Sequence, residues 1–161
     1  MIVADAGPLI AFTRIGRLDL LHAVAGEVVI PDAVYADVVI KGKGRPGSIE
    51  LEGANWIQRR TLTHRTALSS LPAHLHAGEA EAILLAVELR VALLIDERRG
   101  RKAALDHGVE VFGSLSILAQ AKRRGIIEQA KPLLGAMLAA GYWIDEELVP
   151  AFLKELGEAR Q

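Results

Sequence analysis

Short aliphatic runs alternate along this chain with longer stretches whose apolar positions return every three or four residues. Ile2 to Ala4 reads as a strand ended by Gly7-Pro8, with Pro8 suited to the first turn of a helix. Leu9, Ile10 and Phe12, then Leu18, Leu20 and Leu21, predict two short helices broken at Gly16. Val28-Val29-Ile30 is a second strand, and Pro31-Asp32 opens a helix to about Ile40, with Asp32 as its cap. Lys41 to Gly47 is a glycine-rich loop, and Trp56-Ile57 a weak third strand. Ala80, Ile83, Leu84 and Val87 mark a strong helix over Ala77 to Arg90, and Val91 to Ile95 is a fully apolar fourth strand. Arg98 to His107 is a helix stopped by Gly108, Glu110-Val111-Phe112 a fifth strand, and Ser114 the predicted cap of the next helix. Beyond Gly125 the pattern is helical only, over Glu128–Ala140 and Glu146–Glu158, with Asp145 as a cap.

Strand–helix alternation of this kind predicts a three-layer α/β/α fold with a mostly parallel sheet of about five strands. The 161 residues suffice for one domain with a genuine core. Hydrophobic residues make up 51% but aromatic ones only 4%, so that core is aliphatic, as a buried parallel sheet requires. The absence of cysteine excludes disulfides, thiolate metal sites and a cysteine nucleophile, leaving oxygen or histidine ligands for any metal. A net charge of −1 gives no overall basic excess of the sort many nucleic-acid binders carry. The opening MIVADAGPLIAF is too short for a membrane span and lacks the basic front of a signal peptide, so a cytoplasmic location is expected.

Four acids stand where strands meet helices or beside the sheet: Asp5, Asp37, Glu79 and Asp96. A parallel sheet would bring the strand ends carrying Asp5 and Asp96 together at one edge. Unneutralised carboxylates repel, and such a cluster is stable mainly around a hard divalent cation, which points to a Mg²⁺- or Mn²⁺-dependent phosphodiesterase. Each acid also has a plainer reading. Asp5 can accept backbone N–H groups from Ala6-Gly7, and Asp96 or Glu97 can cap the following helix. Asp37 can sit on a solvated face, and Glu79 and Glu81 can complement a helix dipole. Glu79 and Glu81 point to different faces and compete for one role. His74 and His76 lack a third ligand and read as exposed or packing residues. Among the basic residues, Arg98, Arg99, Arg101 and Lys102 directly follow the acidic strand end, where phosphate contacts could place a nucleic-acid backbone.

Four segments in order, VADAGPLIAF, GEAEAILLAVE, LLIDERRGRKAA and VFGSLSILAQAK, resemble PIN-domain proteins, most closely the small stand-alone branch described as predicted nucleic-acid-binding proteins. The likeness spans residues 1–125, implying a PIN-like nuclease domain there and a helical extension, 126–161, packed on the same domain. It implies a metal-dependent endoribonuclease that hydrolyses RNA phosphodiester bonds. On this resemblance Asp5, Asp37, Glu79 and Asp96 are catalytic, and Asp5, Glu79, Asp96 and Glu97 hold Mg²⁺ or Mn²⁺. Arg98, Arg99, Arg101, Lys102 and Ser114 meet the RNA. Two departures leave choices open: GEAEA offers Glu79 or Glu81, and Ile95-Asp96-Glu97 offers either acid. The branch also resembles the toxin half of toxin–antitoxin pairs, implying a small antitoxin partner. A different class is a nucleic-acid-binding or interaction module with little turnover, which the near-neutral charge favours. Apolar residues from Ile126 onward, among them Leu138, Trp143 and Leu148, predict a dimer or larger homo-oligomer.

Overall fold

The computed structural model describes residues 1–45 and 47–159; Pro46, in the predicted loop, and the last two residues of the predicted extension lie outside the described residues. Among the described residues, five short strands form one all-parallel sheet: β1 Ile2–Ala4, β2 Val28–Pro31, β3 Ile57–Arg60, β4 Leu93–Leu94 and β5 Val111–Phe112. Helices α1 Ala6–Arg14 and α2 Asp19–Ala25 follow β1, while α3 Asp32–Tyr35 and α4 Ser48–Gly53 follow β2. Helix α5 Ala77–Leu89 leads into β4, and α6 Arg98–Asp106 joins β4 to β5. Helices α7 Ser114–Arg123, α8 Lys131–Ala139 and α9 Leu148–Glu155 complete the chain. The predicted α/β architecture is what forms.

Strand order is β3-β2-β1-β4-β5. From β1 the chain moves outward one way to β2 and β3, then crosses back to β4 and outward the other way to β5. The order therefore reverses between β1 and β4, and it is at the carboxyl ends of such a pair that open parallel sheets form their crevice. Asp5 and Asp96 follow those two strands. The register pairs Val3 with Leu93 and Ala4 with Leu94, and the Asp5 N–H continues the ladder to the Leu94 carbonyl at 2.9 Å. β1 and β2 are buried throughout, as strands covered on both faces must be. Edge strand β3, IQRR, is mostly exposed and polar, which blunts that edge.

Helix α5 packs on β1 and β2 between α3 and α6, while α2 packs against α7 and α1 against α8. The core is aliphatic apart from Phe12. Several predicted boundaries move. The third strand runs Ile57–Arg60, and Trp56 just before it stacks on His22 with ring centroids 4.9 Å apart. Asp32 does not cap its helix; Arg59 Nε donates to it at 2.7 Å and Thr61 Oγ1 at 2.8 Å, tying β2 to β3. Ser114 lies inside the first turn of α7, which Gly113 caps. Helices α8 and α9 start later than predicted, and Asp145 accepts the Glu147 N–H at 3.1 Å in the turn before α9.

The end of the chain is tied down by Glu158. Its carboxylate accepts the Ala130 and Lys131 N–H groups, each at 2.9 Å, and the Lys122 ammonium at 3.0 Å. Burial opposes its ionisation, but the Lys131 and Ala130 N–H groups and Lys122 together hold it below the usual glutamate range. It thus satisfies the start of α8 from outside that helix. Glu158→Ala should cost about 1 kcal/mol, the usual cost of a lost cap. Denaturant unfolding would check it, and an unchanged midpoint would show the tail to be dispensable.

Candidate active site

Asp5 begins the site. Backbone pairing past β1 fixes its position, and it is only 7% exposed. No side-chain hydrogen bond from Asp5 caps α1, although the Ala6 N–H stands close enough to favour its charged form. Burial raises its pKa to about 6; the Ala6 N–H works the other way, while the charges of Glu79, Asp37 and Asp96 add to the rise. Asp5 thus stands in view of the other three sequence-identified acids. That is the central geometric fact of the site.

Asp37 arrives on a widened helical turn. The helix begun by α3 passes into a π-helical turn at Ala36–Ile40, where the Lys41 N–H reaches back to the Ala36 carbonyl at 2.8 Å. Such turns re-aim a side chain and recur at functional sites. Gly78, in the first turn of α5, shows where Asp37 points: a Cβ there would stand 3.1 Å from Asp37 Oδ2 and 3.6 Å from Asp5 Oδ1. The two carboxylates flank one point above a residue with no side chain. Lys41 Nζ holds the other Asp37 oxygen at 3.0 Å from the solvent side.

Glu79 and Glu81 separate as their spacing requires. Glu79 is 7% exposed, its Oε2 accepts the His76 N–H at 3.3 Å, and its carboxyl carbon lies 3.9 Å from where a Gly100 Cβ would be. Its pKa is raised by burial first and then by Glu97, against the pull of His76 and Arg99. Glu81 turns away, to Arg65 at 3.7 Å and the Ala33 N–H at 3.4 Å. Of the two rivals, Glu79 is the one that faces Asp5. His74 and His76 are exposed.

Asp96 is held tightly. Ser114 donates its N–H to Oδ1 at 2.7 Å and its hydroxyl to Oδ2 at 2.5 Å. Gly113 permits this closeness, since a Cβ there would lie 3.0 Å from Asp96 Oδ1 and 2.8 Å from Arg101 Nη1. Ser114 itself is fully buried, which corrects its placement among the RNA-contacting residues: it supports Asp96 from beneath. Glu97 is exposed, and its side chain caps α6 by accepting the Arg99 N–H at 3.4 Å. Both neighbouring acids border the cluster, Asp96 acting on Asp5 and Glu97 on Glu79.

The basic residues divide. Arg98, Arg99 and Lys102 are exposed, whereas Arg101 Nη1 donates to the Ile95 carbonyl at 3.1 Å and braces the strand end. Lys102 lies 3.5 Å from Asp106. One member of the site was not read from the sequence. Tyr142, beyond α8, lies against Asp96 and Ser114, and burial followed by the Asp96 charge pushes its hydroxyl well above the usual tyrosine range. The available signal was a polar-tipped aromatic after Gly141 in a chain poor in aromatics.

The donor set is oxygen-only, which suits Mg²⁺ or Mn²⁺ rather than softer ions. Among the described residues, no three His, Asp or Glu side chains converge closely enough to chelate one ion. The disagreement with the shared electrostatics of the four acids has a simple source. Asp96 is occupied by Ser114 and one Asp37 oxygen by Lys41, so neither carboxylate offers both oxygens to a shared ion. Mg²⁺ commonly takes only one or two carboxylates and keeps its waters, and the Asp5–Asp37 pair above Gly78 fits that manner of binding.

No helix among the described residues is long and apolar enough to cross a membrane. The chain matches no curated protein. Its fold is similar to that of a PilT N-terminus domain protein from the hyperthermophilic archaeon Sulfolobus solfataricus P2, with a TM-score of 0.54 and 18% identity. That similarity covers 75% of this chain and 93% of the other, and concerns the fold alone. A family model described as a PIN domain matches residues 1–158, running on through α8 and α9 to the Glu158 that anchors the tail. With the parallel sheet, the acids at its switch point and this match, the chain belongs to the PIN-domain family.

Proposed function

We propose that the chain is a metal-dependent endoribonuclease that hydrolyses RNA phosphodiester bonds. PIN domains are generally nucleases and typically use divalent metal ions. The observation that carries the proposal is Asp5, a buried carboxylate with no salt-bridge partner among the described residues that faces three more carboxylates at the sheet's switch point. Mg²⁺ or Mn²⁺ would neutralise that charge and polarise the scissile phosphate. Asp5 and Asp37 would hold the ion, with Asp96 fixed beside them by Ser114. Glu79, whose proton affinity burial and Glu97 raise, is suited to accept a proton from the attacking water. Arg98 and Arg99 stand exposed at the start of α6, where they can hold the RNA backbone. A narrower form, the toxin of a toxin–antitoxin pair covered by a small protein partner, is supported only by the resemblance of the motifs.

End-group analysis tests the chemistry. Water as nucleophile leaves the RNA 2′-hydroxyl unused, so products should carry 5′-phosphate and 3′-hydroxyl ends. Cyclic-phosphate ends formed in EDTA would overturn the proposal. Replacing Arg98 and Arg99 with Ala should weaken cleavage of all sequences alike and flatten its salt dependence. Arg101 is left out of that pair because its loss would also loosen the strand end.

A binding module without turnover is the second reading. It is favoured by the lack of three converging ligands among the described residues and by the Lys41–Asp37 ion pair. RNA bound but uncut under either Mg²⁺ or Mn²⁺ would establish it.

A further inference from the structure

The chain holds seven aromatic residues, two Trp, two Tyr and three Phe, in 161 positions. Four are accounted for by packing. Phe12 is in the core, Phe152 packs against it, Tyr35 lies 4.4 Å beneath the Arg59 guanidinium, and Trp56 stacks on His22. Of the other three, Tyr142 also packs against the core, and all lie in segments that border the acidic edge. Tyr142 lies against Asp96 and Ser114; Phe112, 36% exposed, is two residues before Ser114; Trp143 follows Tyr142 and is 82% exposed. Trp143 is the most exposed of the large hydrophobic side chains. Among the described residues its ring is left largely uncovered, while its neighbour lies beside Asp96.

We infer that Trp143 is a base-stacking platform for single-stranded RNA entering the acidic site. This rests on the nuclease reading and extends it to how the substrate is placed. Between the C-terminus of α8 and the start of α9 the chain runs without regular structure from Tyr142 to Asp145. Tyr142 lies beside Asp96, and Trp143 is the next residue of that segment. A base π-face is common to all four nucleotides, so stacking there holds a strand without reading its sequence. The exposed guanidinium groups of Arg98 and Arg99, following Asp96, supply the backbone attraction that stacking needs beside it. Bases inside a duplex are not free to stack on a side chain, so the platform selects single strands.

Fluorescence provides a readout separate from cleavage. Trp56→Phe leaves Trp143 as the sole tryptophan, and a short oligoadenylate added in EDTA should quench its emission saturably, while a duplex RNA of equal length should not. Trp143→Ala should weaken oligoadenylate binding about tenfold, and Trp143→Phe should retain most of it. The inference falls if the wild type binds oligoadenylate and Trp143→Ala binds it equally well. It also falls if Trp143→Ala turns a dimer into a monomer in sedimentation while RNA affinity stays the same, which would assign the ring to a second copy of this chain. A wild type that neither binds nor cuts RNA removes the nuclease reading and this inference together. One that cuts RNA with a silent Trp143 removes this inference alone.

Discussion

In EDTA near pH 8, an Asp5→Asn protein is expected to melt several degrees above the wild type. The sign follows from the folded-state pKa of about 6, raised from 3.8 by burial and by the facing carboxylates. Between those values the folded chain binds more protons than the unfolded one, so stability falls as pH rises. Whatever Asp5 contributes is fully present below about pH 4 and lost as pH climbs through about pH 6. The gap between the two values corresponds to roughly 3 kcal/mol, the most that neutralising this side chain could return. Asn keeps the shape and removes the charge. At roughly 2–4 °C per kcal/mol for a chain of this size, calorimetry resolves the gain easily. The difference should vanish near pH 4, where Asp5 is itself protonated. Mn²⁺ should then raise the wild-type Tm and leave the variant's nearly unchanged, since only a folded site with its charge intact binds the ion. An Asp5→Asn protein less stable than wild type at pH 8 in EDTA would mean that Asp5 is a structural hydrogen-bond acceptor.

The sheet was legible because its strands are short aliphatic runs, and parallel strands covered on both faces need little else. Ile2–Ala4 and Val28–Pro31 fall almost where the sequence placed them, and α5 begins and ends within a residue of its apolar period. Helix α4 and the 3₁₀ turn at Arg65–Ser70 were invisible, being too short to establish a period. The π-helical turn at Asp37 was equally hidden, since a chain reads as helical whether its bonds close at four residues or five. Of the open choices at the site, Glu79 over Glu81 follows from helix geometry: two residues apart, they cannot both face Asp5. How Asp96 and Glu97 divide depends on Ser114, eighteen positions away, whose hydroxyl and N–H claim the first acid while the second caps α6. Tyr142 was out of reach for the same reason, because its place beside Asp96 depends on how α8 packs and not on any local pattern.

The account stands most directly on metal-dependent cleavage of a single-stranded RNA pool, measured for the wild type with Mg²⁺ or Mn²⁺, the wild type with EDTA, and the Asp5→Asn and Asp96→Asn proteins with metal. Removing a carboxylate that holds the ion or positions the reacting groups should lower turnover by roughly 10²–10⁴-fold. RNA binding should remain measurable in both variants, since the proposed backbone contacts come from the exposed arginines and not from the acids. The account predicts cutting by the wild type that EDTA stops and that neither variant sustains. An Asp5→Asn protein that cleaves as fast as the wild type, or a wild type that cleaves equally well in EDTA, would contradict it.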